Sequence, residues 1–207
     1  MPGDTNSRFD IFVLDRGSHA TRRVSLTSAG RQGTADARYR DVCGNGRSVA
    51  FDTASALVAS DGNARIDVYV HDMDTGQTAL ASLSSAGLVA DGLSEKASIS
   101  DDGRYVSFVS AATNLVADDT NGVTDIFVHD RQTGDTARVS LTEGGGQATG
   151  ASTWPSLSGD GRYVAFVSSA RNLVGGIVTT VPQVYVRALS PEPTYAIAGV
   201  VRSDDGA

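Results

Sequence analysis

One stretch of sequence occurs three times at nearly constant spacing, and this repetition constrains the fold more than any other feature. Its clearest copy, SLSGDGRYVAFVSSARNLV, occupies residues 156–174. A second copy, SISDDGRYVSFVSAATNLV, occupies residues 98–116, and a diverged copy occupies residues 41–58. Self-similarity at this period indicates one supersecondary unit that buries its faces only against its neighbours. We therefore predict an array of similar units.

A second motif alternates with the first at the same period. Its copies are FDIFVLD, IDVYVHD, TDIFVHD and PQVYVRA, and their equivalent positions, 57, 58 and 58 residues apart, are held by Asp10, Asp67, Asp125 and Gln183. Both alternating faces of this motif are apolar, which is typical of a strand that is covered on both sides. Asp-Gly-Arg and Asn-Gly-Arg triplets in the first motif are strong hairpin signals. Each unit is therefore predicted to contain four short antiparallel strands.

Four-stranded sheets of this length, stacked face to face, describe the blades of a β-propeller. The predicted fold class is all-β, with about three and a half blades. Because a closed propeller normally has at least four blades, we expect an incomplete propeller that is part of a longer polypeptide. The predicted units are a half blade at 1–26, blades at 39–83, 96–141 and 154–190, and a tail at 191–207 that is either the last blade strand or the start of a β-sandwich domain.

The residues of these motifs also resemble a known family. Residues 156–166 (SLSGDGRYVAF), 125–134 (DIFVHDRQTG) and 138–140 (RVS) are similar to the WD-like repeats of TolB-type propellers, and the similarity extends over most of the chain. The resemblance implies a propeller fold and a periplasmic or extracellular location. Members of this group include periplasmic scaffold proteins, gating propellers of serine peptidases and unassigned secreted bacterial proteins. Two departures are a longer repeat and the replacement of the usual proline before Asp-Gly by Asp101 or Gly159.

The tail carries a second, shorter resemblance. The sequence YAIAGVVRSDDGA at residues 195–207 is similar to the first hairpin of a carboxypeptidase-regulatory-like sandwich. A degenerate last blade strand explains the same residues. The sequence leaves both interpretations open.

Charge and composition exclude several classes of partner. The chain has 17 basic and 24 acidic side chains and a formal net charge of −7, so we expect neither nucleic acid nor an anionic membrane surface as a partner. No apolar run reaches the roughly 18–20 residues of a membrane span. The single cysteine, Cys43, rules out an internal disulfide framework and is predicted to be a small, semi-buried residue without chemistry.

Residues for catalysis are sparse, and we predict no catalytic residue and no enzyme activity in this chain. The histidines are His19, His71 and His129, and the last two occupy the same repeat position, which favours a structural role on a strand. No Gly-x-Ser-x-Gly elbow and no zinc-type His and Cys spacing is present. The sole tryptophan, Trp154, occupies the position held by Lys96 in the preceding copy, and is predicted to make a rim contact, with ligand stacking as the alternative.

The best candidate site is an acidic loop before each Ile-Phe-Val strand. Carboxylates and amides at loop positions 1, 3 and 7 are the oxygen ligands that Ca²⁺ prefers, although the loop lacks the glutamate that an EF-hand has at position 12. Asp and Asn also cap turns through their own hydrogen bonds without any metal. Ca²⁺ is the only candidate cofactor, and its candidate ligands are Asp4, Asn6 and Asp10, then Asp61, Asn63 and Asp67, and then Asp119, Asn121 and Asp125.

These patterns together predict a non-catalytic binding or scaffolding module of a larger exported protein. Its partner would be another protein or other domains of the parent chain, bound through the blade loops. The alternative is a propeller that controls substrate access to a peptidase domain outside this chain. A glycan-binding propeller ranks third, because it requires aromatic residues at equivalent loop positions and Trp154 is the only one evident.

Overall fold

In a computed structural model that describes residues 3–176 and 181–189, together with the backbone strand at 196–200, the chain forms antiparallel sheets. A two-stranded sheet comes first, and three four-stranded sheets follow it, each with its strands in chain order. The described residues contain no helix, so none of them lies in a helix that could cross a membrane. The strands are β1 (Phe12–Leu14) and β2 (Thr21–Arg23); β3 (Ala37–Val42), β4 (Ser48–Thr53), β5 (Asp67–Asp72) and β6 (Thr78–Leu80); β7 (Ser94–Ile99), β8 (Tyr105–Ser110), β9 (Asp125–Asp130) and β10 (Thr136–Arg138); β11 (Ser152–Leu157), β12 (Tyr163–Ser168), β13 (Gln183–Ala188) and β14 (Ala196–Val200).

Each complete sheet has a stacked aromatic pair at its centre, on its second and third strands. The ring centroids of Phe108 and Phe127 are 6.0 Å apart, and equivalent pairs join β4 to β5 and β12 to β13. Phe108 and Phe166 lie in the core and are 0% and 2% exposed. Such offset pairs contribute about 0.5–1.5 kcal/mol beyond the area that they bury.

The sheets pack face to face, and each apolar cluster joins two neighbouring sheets. One cluster combines Val68 and Val70 of β5 with Phe108 of β8. Over the described residues, the array does not close into a ring, and no further sheet covers the outer face of its last sheet. Val184 on β13 is 45% exposed, whereas the equivalent Val68 and Ile126 are fully buried under the next sheet. The prediction of an all-β, incomplete propeller is therefore confirmed.

Neighbouring sheets are also tied by the two repeated histidines. The Thr78 hydroxyl donates a hydrogen bond at 2.5 Å to the carbonyl of Leu26, which follows β2 of the preceding sheet. Because that proton is committed, Nδ1 of His71 carries the hydrogen and donates it to Thr78 Oγ1, at 2.9 Å. His129 and Thr136 repeat this arrangement in the next sheet. Both histidines therefore serve the packing between sheets.

The absent proline before Asp-Gly has a packing reason. The side chain of Asp101 lies between Gly44 and Gly159 at the equivalent positions of the two adjacent sheets. A Cβ atom on Gly159 would lie 2.2 Å from Asp101 Oδ2, and one on Gly44 would lie 2.4 Å from Oδ1. The Asp101 N–H also donates to the Gly159 carbonyl at 2.8 Å. The inner turns approach so closely that a larger residue than glycine does not fit beside Asp101.

The tail is described only in part. Strand Ala196–Val200 pairs with β13 and takes the fourth position of the last sheet, which is the place of a last blade strand. Residues 190–195 and 201–207 lie outside the described residues, as do residues 177–180 of the fourth acidic loop. Nothing in the described part of the tail supports a following sandwich domain.

Candidate binding site at the inner strands

The first strand of each complete sheet carries a β-bulge at the same place. The register shifts between Arg38 and Asp41 in β3, and at the equivalent positions of β7 and β11. The residue in each bulge has a positive φ, at 39° for Tyr39, 56° for Lys96 and 55° for Trp154. This left-handed conformation is costly for side chains other than glycine, and bulges often redirect side chains at functional sites. Three non-glycine residues thus take the same strained geometry.

These three bulge residues meet in space and form what we call the axial cluster, which consists of Tyr39, Lys96 and Trp154. Tyr39 and Trp154 come from sheets that are not neighbours, yet their ring centroids are 6.0 Å apart with an angle of 78° between the ring planes. The Lys96 ammonium lies 5.3 Å from the Tyr39 centroid and 5.0 Å from the Trp154 centroid. It is also bonded to the Glu95 carboxylate. The inner strands therefore converge at this cluster.

The axial cluster corrects one expectation about the aromatic residues. Trp154 has an aromatic equivalent, Tyr39, which lies at the same position two sheets earlier. Trp154 is 56% exposed and Tyr39 is 39% exposed, so both rings are accessible. The alignment of DARYRDV, SEKASIS and STWPSLS contained this equivalence. It was missed because the first repeat copy is diverged around Tyr39.

A cleft of about 420 Å³ opens beside the axial cluster. Its lining includes Tyr39 and Arg38 of β3, Glu95 of β7 and Asp52 of β4. Asp52 is 3% exposed, and its Oδ2 accepts a hydrogen bond from the backbone N–H of Lys96 at 2.9 Å. Burial raises the pKa of Asp52 to about 7, against the opposing effect of that hydrogen bond. Sequence reasoning overlooked Asp52, although the other copies have valine at this position.

Within each predicted calcium loop the candidate ligand side chains lie close together. Their polar atoms form hydrogen bonds within the protein. The amide nitrogen of Asn63 donates to Asp67 Oδ2 at 2.7 Å and to the carbonyl of Ala90 at 2.8 Å, while its Oδ1 accepts the N–H of Arg65 at 2.7 Å. Asp67 Oδ1 accepts the hydroxyl of Ser82 at 2.6 Å. The other loops share most of this network through Asn6 and Asp10 and through Asn121 and Asp125.

In two of these loops an arginine side chain lies beside the carboxylates. Arg138 Nη1 lies 2.9 Å from Asp119 Oδ1 and 3.6 Å from Asp125 Oδ2, all three side chains being nearly buried. Arg23 lies 3.5 Å from Asp4 and from Asp10 in the first loop. A guanidinium therefore occupies the space between the two carboxylates of each loop.

The middle loop is built differently. Leu80 replaces the arginine, and the Tyr69 hydroxyl donates a hydrogen bond to Asp61. Burial raises the pKa of Asp67, and the nearby Asp61 carboxylate raises it further. Over the described residues no group of three His, Cys, Asp or Glu side chains is arranged to hold a metal ion. Calcium binding at these loops stays a prediction.

Cys43 is buried and lies in the turn before β4. Its Sγ contacts the side-chain oxygen of Asn45 and accepts the backbone N–H of Ser48, both at 3.0 Å. Ser100 and Ser158 make the equivalent contacts in the other repeats through their hydroxyls. Cys43 thus takes the same structural position as these serines.

Comparison with known proteins identifies the fold. No family model and no curated protein matches the chain. Among solved structures, TolB from Acinetobacter baumannii is similar over 91% of this chain and 37% of that chain, with a TM-score of 0.51 and 17% identity. The tricorn protease is similar over 90% of this chain and 16% of that chain, with a TM-score of 0.56 and 15% identity. The chain has a β-propeller fold.

A third similar structure supports the same conclusion. Dipeptidyl peptidase 4 from Porphyromonas gingivalis matches 91% of this propeller chain and 28% of its own chain, with a TM-score of 0.54 and 12% identity. The propeller spans well under two thirds of the length of each of these proteins. At these identities the similarity establishes the fold and leaves function to the residues of the site.

Proposed function

We propose that this chain is a non-catalytic binding or scaffolding propeller of a larger exported protein, and that it contacts a protein partner through the axial cluster. The observation that carries this proposal is the convergence of Tyr39, Lys96 and Trp154 from three equivalent bulges. The backbone geometry of the three bulges is alike, whereas their side chains differ. A shared scaffold that presents different side chains at one point is the arrangement expected of a recognition surface.

The chemistry of the cluster suits a protein partner. Tyrosine, tryptophan and arginine are the residue types most enriched at protein–protein hot spots, and Arg38 and Arg40 flank Tyr39 on β3. Both aromatic rings are exposed, and the cation between them limits how far they can move. The partner therefore meets a preorganised surface at the inner strands, in addition to the blade loops.

Site-specific crosslinking in the parent protein tests this assignment. We would place a benzophenone amino acid at position 154, and at position 88 as a control, because Leu88 is 59% exposed on the loop that follows β6, the strand at the edge of its sheet opposite β3. Crosslinks to a partner are expected from position 154 and are expected to weaken when Tyr39→Ala is added. Crosslinks from position 88 alone would contradict the proposal.

The absence of catalysis is tested separately. In the described part of the chain, His71 and His129 are buried and committed to threonine hydroxyls, so neither is positioned to activate a nucleophile. We expect the purified chain to hydrolyse a panel of fluorogenic peptides no faster than buffer does. Turnover that a serine- or metallo-hydrolase inhibitor abolishes would overturn the proposal that the chain is non-catalytic.

The second candidate is a propeller that controls access to a peptidase. Its support is the similarity to the tricorn protease and to dipeptidyl peptidase 4. The reading frame beyond Ala207 distinguishes the two candidates. A hydrolase nucleophile motif there would favour the gating function, and a further sandwich domain would favour the scaffold.

A further inference from the structure

The cleft beside the axial cluster contains a buried carboxyl group that the fold does not require. Asp52 stands at the position of Val109 and Val167 in the other sheets, and all three pair with the third strand of their own sheet. A buried carboxyl in place of a core valine costs free energy unless something compensates for it. Internal repeats make the exception visible, since the same backbone elsewhere carries an apolar side chain.

Only half of the Asp52 carboxyl is used within the described residues. Oδ2 accepts the Lys96 N–H, whereas Oδ1 accepts no hydrogen bond from the described residues and stays accessible to solvent, although Asp52 as a whole is only 3% exposed. Asp52 lines the cleft, so this free oxygen borders open space. A carboxylate oxygen that is open to a cleft, in a residue that is otherwise buried, is available to bind a ligand.

A purely structural role does not account for the carboxyl. The bulge residue Trp154 keeps the same positive φ beside Val109, where no carboxyl is available for its backbone N–H. A bulge of this kind therefore forms without a hydrogen bond from its backbone N–H to a carboxyl group. An asparagine would also accept the Lys96 N–H, without the cost of a buried acid.

The lining of the cleft indicates the kind of ligand. The Glu95 carboxylate and the Tyr39 ring line it together with Asp52. The chain's own Lys96 shows that an ammonium group suits these surroundings, since it is bonded to Glu95 and lies 5.3 Å from the Tyr39 centroid. Ammonium groups bind to carboxylates and to aromatic faces, most strongly where water is excluded.

We propose that this cleft binds a small organic molecule through a primary ammonium group, which Asp52 Oδ1 and Glu95 hold beside the Tyr39 ring. Arg38, bonded to Asp36 at 2.9 Å, also lines the cleft. The site goes beyond the protein-binding function, because Trp154 is not among its lining residues. Loss of crosslinking at position 154 and loss of amine binding at Asp52 are therefore separate outcomes.

Binding through Asp52 has a pH signature. Burial and the Glu95 charge raise the pKa of Asp52 to about 7, whereas the charges of Lys96 and Arg38 act in the opposite direction. Arg8 and Asp36 are the other charged residues that line the cleft. An ammonium ligand requires the ionised carboxyl, so its affinity should increase about tenfold from pH 6 to pH 8, as the ionised fraction does.

Calorimetric titration with n-butylamine at pH 6 and pH 8 tests the proposal, with n-butanol as the matched uncharged probe. We expect the wild-type protein to bind the amine about tenfold more tightly at pH 8 and not to bind the alcohol. Asp52→Val copies the sibling sheets and should abolish binding. Asp52→Asn keeps the Lys96 hydrogen bond and should remove the pH dependence. Glu143→Gln changes an exposed carboxylate and is the control.

Several outcomes would overturn the proposal. They are the absence of amine binding at millimolar concentration, equal binding of the alcohol, and undiminished binding by Asp52→Val. Circular dichroism of each variant shows that it is folded. If Asp52→Val does not fold, the Asn variant decides, because undiminished affinity and an unchanged pH dependence in that variant would contradict a role for the ionised carboxyl.

Discussion

At the scale of single residues, Asp52 is the position at which comparison of the repeats points most clearly to binding rather than to folding. The repeats give a reference for every position, and Asp52 is a polar exception at one that is apolar elsewhere. The repeat alignment contained this signal. Its meaning depended on the cleft and on the contact with Lys96, which no pattern within one repeat can predict because both involve the next sheet.

Asp52 should make stability depend on pH. Its pKa is about 7 in the folded protein against an ordinary 3.8, so the folded state retains a proton that the unfolded chain releases between these values. Its contribution to stability is therefore fully present below pH 3.8 and is lost as the pH rises to 7. One pKa unit corresponds to about 1.4 kcal/mol, so we expect a loss of about 2–3 kcal/mol between pH 5 and pH 8.

Urea unfolding of the wild-type protein and Asp52→Asn at both pH values measures this loss. Burial lowers the pKa of His71 and His129, so their contribution is lost as the pH falls below about 6.5, which is the opposite direction. Both proteins retain these histidines, and the difference between the two proteins isolates Asp52. A difference that is the same at pH 5 and pH 8 would contradict the expected shift.

Core phenylalanines should be far more sensitive than exposed ones. Phe108 is fully buried and stacks on Phe127, so Phe108→Ala should lower the free energy of unfolding by about 3–5 kcal/mol. Phe9 is 67% exposed, and Phe9→Ala is the matched control, with an expected effect below about 1 kcal/mol. Chemical denaturation measures both. A loss below about 1 kcal/mol for Phe108 would mean that the sheet core is not packed as described.

At the scale of elements, two neighbouring sheets differ in the residues that face each other across their third and fourth strands. Phe127 faces Arg138 across the strands, and the arginine neutralises the acidic loop. Tyr69 faces Leu80, and the tyrosine hydroxyl donates to Asp61 instead. These two sheets thus satisfy the buried carboxylates of their acidic loops in different ways.

A swap between the two pairs tests this interpretation. Arg138→Leu alone should lower stability by about 3–5 kcal/mol, because it leaves Asp119 buried without its partner. Adding Phe127→Tyr recreates the pair of the middle sheet, and we expect it to recover at least about 1 kcal/mol. A thermodynamic cycle of the four proteins measures the coupling. Additive effects would show that the tyrosine does not reach Asp119.

The calcium hypothesis is tested on the same variants. If the loop can use an oxygen-seeking cation, millimolar Ca²⁺ should raise the melting temperature of Arg138→Leu more than that of the wild-type protein, where the guanidinium lies between Asp119 and Asp125. Asp119→Ala added to Arg138→Leu should remove that increase. Equal melting temperatures with and without Ca²⁺ would contradict calcium binding at this loop.

The strands and turns could be predicted from sequence because they follow local rules that the repeats state several times. The apolar second motif predicted β5, β9 and β13 to within a residue, and Asp-Gly-Arg predicted the turns before β8 and β12. The bulges could not be predicted in this way. They result from the meeting of inner strands from three sheets, and Tyr39, Lys96 and Trp154 have no common residue type.

At the scale of the whole molecule, stability is carried by contacts between neighbouring sheets, so the end of the array differs from its middle. Val68 and Val184 occupy the same repeat position, yet Val68 is fully buried and Val184 is 45% exposed. Val68 is covered by the following sheet, whereas no following sheet covers Val184 among the described residues. The same substitution at the two positions therefore reports on the open face.

We expect Val68→Thr to lower the free energy of unfolding by about 1–3 kcal/mol, because it buries a hydroxyl without a ready partner. Val184→Thr should change it by less than about 0.5 kcal/mol, as exposed substitutions do. Chemical denaturation at several protein concentrations measures both, and light scattering gives the mass. A large cost for Val184→Thr together with a mass above that of one chain would mean that a second copy covers this face. A small cost and a single-chain mass would show that three and a half blades are stable as an open array, held by the sheet-to-sheet contacts already within the chain.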